Sequence, residues 1–149
     1  MSKLEKKLER FRSLNREMRL QLLLNYAKKF PDLPAELEEA RDAGLNQVQE
    51  CQTPLYLWVA VRDGQVTIHS YAPREAPTVR GFMGFLMEQL EGADADAVEA
   101  LPRDLLDRMG LGEVLGVTRT RGLSSVVDRI RRDVSRARES SKSPEDPSN

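Results

Sequence analysis

Leu55-Tyr56-Leu57-Trp58-Val59-Ala60-Val61-Arg62-Asp63-Gly64-Gln65-Val66-Thr67-Ile68-His69-Ser70-Tyr71 is the stretch on which the fold turns. Two runs rich in β-branched and aromatic residues flank Asp63-Gly64, a pair that tolerates the left-handed backbone of a two-residue hairpin turn. Leu55 to Val61 and Val66 to Tyr71 therefore read as paired antiparallel strands. In the second run Val66, Ile68 and Ser70 alternate with Thr67, His69 and Tyr71, which sets one face on a core and leaves the other wetter. A short strand over Gln47 to Glu50 would bring the sheet to three strands, about the minimum that stands with helices packed on it. The sequence on either side has helical spacing, so the class is α+β, a small three-stranded antiparallel sheet packed by helices.

Before the hairpin, Leu4, Leu8 and Phe11 mark one helical face and Leu20, Leu23, Leu24 and Ala27 another, with a break around Ser13 to Asn15. This predicts one bent helix or two. Pro31 and Pro34 end it, and a short acidic helix follows over Ala35 to Arg41, with Gly44 beyond. After the hairpin, Pro73 and Pro77 bracket a loop. Val79 to Leu90 then places Phe82, Phe85, Leu86 and Leu90 on an apolar stripe. Asp94 is positioned to cap a short helix, Pro102 opens another over Arg103 to Met109, and Gly110 stops it. A last helix is predicted from Leu123 to Arg138, with Val126, Val127, Ile130 and Val134 inward. Residues 1–138 read as one domain, in keeping with a length of 149. Residues 139–149 lack apolar groups to bury and read as a disordered tail.

Composition removes several function classes. The one cysteine, Cys51, excludes an intrachain disulfide, a CxxC redox pair and a multi-thiolate metal site. With His69 the only histidine, and no EF-hand or HExxH spacing, no metal is expected. The apolar run Leu55 to Val61 has seven residues, against roughly 20 for a membrane span. Lys3, Glu5, Lys6, Lys7 and Glu9 leave no apolar core for a secretory signal, so a cytoplasmic location is expected. The acids fall at solvated helix spacings, and His69 has no serine-nucleophile motif near it, so neither a carboxylate dyad nor a catalytic triad is read.

The net charge of −1 conceals blocks of opposite sign. Residues 1–30 carry a net +6, residues 31–50 a net −5, residues 84–107 a net −6 and residues 119–138 a net +5. Alternating blocks suit protein docking or internal pairing better than a nucleic-acid footprint, and no stacking aromatics interleave with the last arginine block. Neither nucleic acid nor membrane is expected as a partner, and the chain is expected to be a monomer or homodimer.

Cys51 sits in Gln49-Glu50-Cys51-Gln52-Thr53, a polar connection between two predicted strands. Composition alone would make a free cysteine a small buried hydrophobe. The order of landmarks around it, however, resembles the SufE family of sulfur acceptors, over roughly Arg19 to Arg132. Phe30-Pro31-Asp32-Leu33-Pro34 is similar to the family's Leu-Pro-x-Leu-Pro, and Val48-Gln49-Glu50-Cys51-Gln52-Thr53 to its Val-x-Gly-Cys-x-Ser. Thr78-Val79-Arg80-Gly81 is similar to Ile-Val-Lys-Gly. Leu115 through Arg119 to Gly122-Leu123 is similar to Leu-x-x-x-Arg-x-x-Gly-Leu.

The resemblance implies a SufE/NifU (IscU-like) fold and a sulfur-transfer accessory protein rather than a stand-alone enzyme. By it, Cys51 matches the persulfide-carrying cysteine, fed by a SufS-like cysteine desulfurase whose turnover it stimulates, and emptied by a SufBCD-like iron–sulfur assembly scaffold. No cofactor of its own is implied; pyridoxal phosphate would sit on the desulfurase. The competing expectation is a non-catalytic SufE-fold module that binds or regulates a desulfurase or another partner. Where the family has glycine, this chain has Glu50, an anion that would raise the neighbouring thiol pKa unless Arg80, Arg119 or Arg121 offsets it. Gln52 and Arg74, the latter in a segment that departs from the family's Asp-Ser-Asp/Glu-Ala, join these as expected supporting or docking residues.

Overall fold

A computed structural model describes residues 3–49 and 53–142. Glu50, Cys51 and Gln52, and residues 143–149 of the tail expected over residues 139–149, lie outside the described residues, while residues 139–142 of that tail continue the last helix. The N-terminal helical region is two helices, α1 (Lys3–Ser13) and α2 (Arg16–Lys28). Asn15 makes the break. Its side chain accepts the Met18 N–H at 2.9 Å, supplying one of the donors a helix start leaves unpaired. The carbonyls at the end of α1 are taken up by Arg19, which donates to Phe11 O at 3.0 Å and Arg12 O at 2.8 Å. The same guanidinium reaches Gly110 O at 3.0 Å, tying both helices to a distant loop.

After Pro31 and Pro34 comes α3 (Ala35–Asp42), none of whose residues is buried. The hairpin consists of β1 (Tyr56–Arg62) and β2 (Gln65–Tyr71), antiparallel, in a register running from Tyr56 opposite Tyr71 to Arg62 opposite Gln65. Asp63 and Gly64 both have positive φ, 52° and 77°, as the Asp-Gly signal requires of a two-residue turn. Leu57, Val61, Val66, Ile68 and Ser70 form the buried inner face, and Tyr56, Trp58, Thr67, His69 and Tyr71 the half-buried outer one.

The expected third strand is not formed among the described residues. Gln47 makes an isolated bridge to Tyr56, and the described sheet has two strands. Asn46 is the physical reason on one side: at φ 63° it turns the chain out of extended geometry just before the bridge. The opposite edge is closed in the same manner. Val66 N–H donates to Ala93 O, and Ala95 N–H to Gly64 O, both at 2.8 Å. Each edge of the hairpin is thus met at one end by a short stretch of chain, which shortens the unpaired backbone that a two-stranded sheet presents.

The remaining helices are α4 (Pro77–Leu90), α5 (Ala95–Glu99), α6 (Leu105–Arg108), α7 (Gly112–Leu115) and α8 (Val117–Lys142). Asp94 occupies the N-cap position of α5 without making a side-chain cap bond. The helix expected over Arg103 to Met109 contracts to α6, and the last helix starts at Val117 rather than Leu123 and runs past Arg138 to Lys142. α4 lies at the centre, with nine of its residues buried, against α2 on one side and β2 on the other, while α8 packs on β1 and α5. The α+β class stands, and one core cluster runs from Leu8 to Val134.

Candidate functional site

The chain entering and leaving the cysteine segment is pinned at both ends. Val48 N–H donates to Leu55 O at 2.7 Å and Leu57 N–H to Asn46 O at 3.1 Å. The Asn46 amide side chain adds a third bond, to Leu57 O at 3.1 Å. Val48 and Leu55 are both fully buried, whereas Gln49 and Pro54 are exposed and Thr53 is half-buried. Two apolar anchors joined by a backbone bond thus bracket the segment, whose described residues Gln49, Thr53 and Pro54 are exposed or half-buried, and Cys51 falls between them in sequence.

α8 braces this crossing from the side. Arg129 donates to Gln47 O at 3.5 Å and forms an ion pair with Asp133 at 3.7 Å. Arg129 was not among the residues expected to support the site. Its arginine block reads as a solvated face, and a bond to a carbonyl 82 residues away leaves no local signal in sequence. The outer face of the hairpin carries Tyr56 stacked on Trp58, centroids 6.2 Å apart, and Arg41 of α3 over the Tyr71 ring at 4.5 Å. Ser70, buried on the inner face, donates its hydroxyl to Tyr56 O at 2.9 Å.

Of the residues expected to support the thiol, Glu50 and Gln52 lie outside the described residues with Cys51 itself. Arg80 is half-buried and committed elsewhere. It donates to Ala27 O and Ala72 O and lies over the Phe30 ring at 4.2 Å, joining the end of α2 to the segment before α4. Burial, and then the nearby charge of Arg74, hold its pKa below the usual arginine value. Arg74 is exposed. Arg119 donates to Thr78 Oγ1 at 3.2 Å, in the first turn of α4, while Arg121 faces solvent. Arg74, Arg80 and Arg119 thus lie around the start of α4.

Among the described residues no group of three or more His, Cys, Asp or Glu side chains converges on a metal-sized site. Nor is any described helix long and apolar enough to cross a membrane.

A solved structure of a similar chain shares this architecture. The solution structure of a hypothetical protein from Thermus thermophilus superposes with a TM-score of 0.78 at 39% identity, over 91% of this chain and 96% of that one. An uncharacterized SufE-like protein of Mycobacterium tuberculosis (strain ATCC 25618 / H37Rv) is 37% identical over 82% of this chain and 84% of its own. The sulfur acceptor protein CsdE of Escherichia coli (strain K12) is 28% identical over 72% of this chain and 71% of its own. Residues 5–134 match the SufE family, described as an Fe-S metabolism associated domain. With nearly the whole described fold inside that match, the chain belongs to the SufE family.

Proposed function

We propose that this protein is a sulfur acceptor in which Cys51 carries sulfane sulfur delivered by a cysteine desulfurase. The observation that carries the reading is the place of the chain's only thiol. By the resemblance of Val48-Gln49-Glu50-Cys51-Gln52-Thr53 to the family's Val-x-Gly-Cys-x-Ser it would take the family's cysteine position, in a segment whose two ends are fastened by the Val48 and Leu55 pairing. Membership of the family and the likeness to a sulfur acceptor protein support it.

The transfer is an exchange without net redox change. The Cys51 thiolate attacks the outer sulfur of a persulfide on the desulfurase; a bond forms between Cys51 Sγ and that sulfur as the donor's S–S bond breaks, and the donor cysteine leaves as a thiolate. Cys51 then holds the persulfide until a second thiolate, on a SufBCD-like scaffold, repeats the attack. A lone thiol suits a carrier, because no second cysteine of the chain can expel the sulfur by closing a disulfide. The pyridoxal phosphate chemistry that makes the first persulfide belongs to the desulfurase. Emptying its persulfide is how the carrier would stimulate that enzyme. This chemistry suits a cytoplasmic protein, and the kinship to IscU-like scaffolds belongs to the same reading.

Incubation with a SufS-like desulfurase and cysteine, followed by intact mass measurement, is the test. The wild-type chain gains the mass of one or more sulfur atoms, and Cys51→Ser gains none. A wild-type chain that stays unmodified while the desulfurase turns over would sink the carrier reading. Stimulation that survives Cys51→Ser would instead favour a non-catalytic module.

A further inference from the structure

The seven arginines between residues 119 and 138 do not share one environment. Arg131 donates to Leu101 O at 2.9 Å and pairs with Asp128, and Arg138 bonds Asp96 and Glu99, so both staple α8 to the α5 region. Arg119 is turned to Thr78 and Arg129 to Gln47. Arg121, Arg132 and Arg136 are exposed. With 3.6 residues per turn these three and Arg129 fall within roughly 80° of the helix circumference, and Arg121 to Arg136 spans about 22 Å along the axis. Of the acids beside the stripe, Asp128 pairs with Arg131 and Asp133 with Arg129, and Glu139 lies one turn past Arg136.

We propose that this outward arginine stripe of α8 is the docking surface for an acidic patch on the protein that donates sulfur to Cys51. The proposal rests on the sulfur-acceptor reading and adds the surface by which the donor is recognised. Arg129 supplies the continuity: the stripe that contains it touches the carbonyl of Gln47, four positions before Cys51 in the sequence. A partner laid along the stripe is therefore brought to the pinned entrance of the cysteine segment. Arginine forks pair carboxylates in a fixed plane, which orients the partner as well as attracting it.

Two other polyanions fit less well. A single-stranded nucleic acid wants stacking aromatics along its track, and the Tyr56–Trp58 stack lies on the hairpin's outer face, opposite to the inner face whose residues form the core with α8. An anionic membrane wants apolar residues beside the cations, and the exposed positions between Arg121 and Arg136 carry none.

The test uses the full chain and the cysteine desulfurase of the same organism, measuring complex affinity and sulfur transfer to Cys51 at low and high salt. Arg132→Glu with Arg136→Glu is expected to weaken both by about ten- to a hundredfold at low salt, with the gap closing as salt rises. Lys28→Glu, a charge reversal of the same kind at one exposed position on α2, leaves both unaltered. Loading of Cys51 from inorganic polysulfide is unchanged in the double variant, which separates docking from thiol chemistry. Wild-type affinity and salt slope in the double variant overturn the proposal while leaving the carrier reading intact. If the wild-type chain binds the desulfurase but takes no sulfur, the carrier reading fails, and the double variant's affinity still decides the docking surface. Absence of any complex, or tighter salt-dependent binding to a duplex oligonucleotide than to the desulfurase, overturns it.

Discussion

The phenol of Tyr26 shows how a single buried polar group is managed here. Its hydroxyl donates to Glu88 Oε2 at 3.2 Å, its ring meets the edge of Phe85 at 5.4 Å, and Lys29 Nζ lies 4.7 Å from the ring centroid. Burial, then the Glu88 carboxylate, push the Tyr26 pKa up to about 12. The raised value means that the neutral phenol is the form the folded chain favours. Its contribution is therefore complete below the ordinary tyrosine pKa of about 10, and is lost as pH climbs from there through the folded-state value. Titration of phenolate absorbance in the folded protein should show one late group that disappears in Tyr26→Phe. The same variant should lose about 1 kcal/mol at neutral pH, the worth of an ordinary hydrogen bond. A titration without that late group would contradict the Glu88 contact.

At the scale of elements, the crossing of α2 over α4 depends on two glycines. A Cβ built on Gly81 would stand 2.1 Å from Leu23 O, and one on Gly84 2.9 Å from Tyr26 O, both backbone atoms that cannot swing aside. Gly81→Ala must force the helices apart, and overpacking of this kind costs about 1–3 kcal/mol or more. Gly112→Ala meets nothing within 4 Å and should be neutral or slightly stabilising. Equal melting temperatures for the two variants would disprove the close crossing. Gly81 belongs to the family landmark Thr78-Val79-Arg80-Gly81, and the structure gives it and Arg80 structural duties. Long apolar periodicity and the Asp63-Gly64 turn made the hairpin, α2 and α4 legible from residues alone. What escaped was decided by backbone geometry or distance. α7 has four residues, too few to show a period. α8 begins six residues early because Gly116, at φ 84°, restarts the chain and its carbonyl accepts the Thr120 hydroxyl. Among the described residues the third strand fails beside a left-handed Asn46. At the candidate site, Cys51 was legible as a lone thiol in a polar connection, while the Arg129 brace and the turning of Arg80 towards Ala27 and Ala72 depend on long-range folding.

For the molecule as a whole, the layers share one core, and that governs how it comes apart. The cluster that starts with Leu8 and Phe11 on α1 continues through α4 and the hairpin to Val134 on α8. α1 is not an appendage, since Phe11 is 1% exposed and meets Phe85 edge-on at 5.2 Å, and Arg12 donates to Asp107 O at 2.7 Å. A domain of this size has a total stability of about 5–15 kcal/mol, and removing a buried phenylalanine ring costs about 3–5 kcal/mol. Phe11→Ala should therefore destabilise regions far from α1. Trp58, on the outer face of the hairpin, reports on a region remote from α1. In denaturant titrations its fluorescence and the far-ultraviolet helical signal should fall in one coincident transition, and Phe11→Ala should move both midpoints down together. A variant that loses helical signal early while Trp58 unfolds at the wild-type midpoint would mean that α1 and the hairpin are held by separate cores.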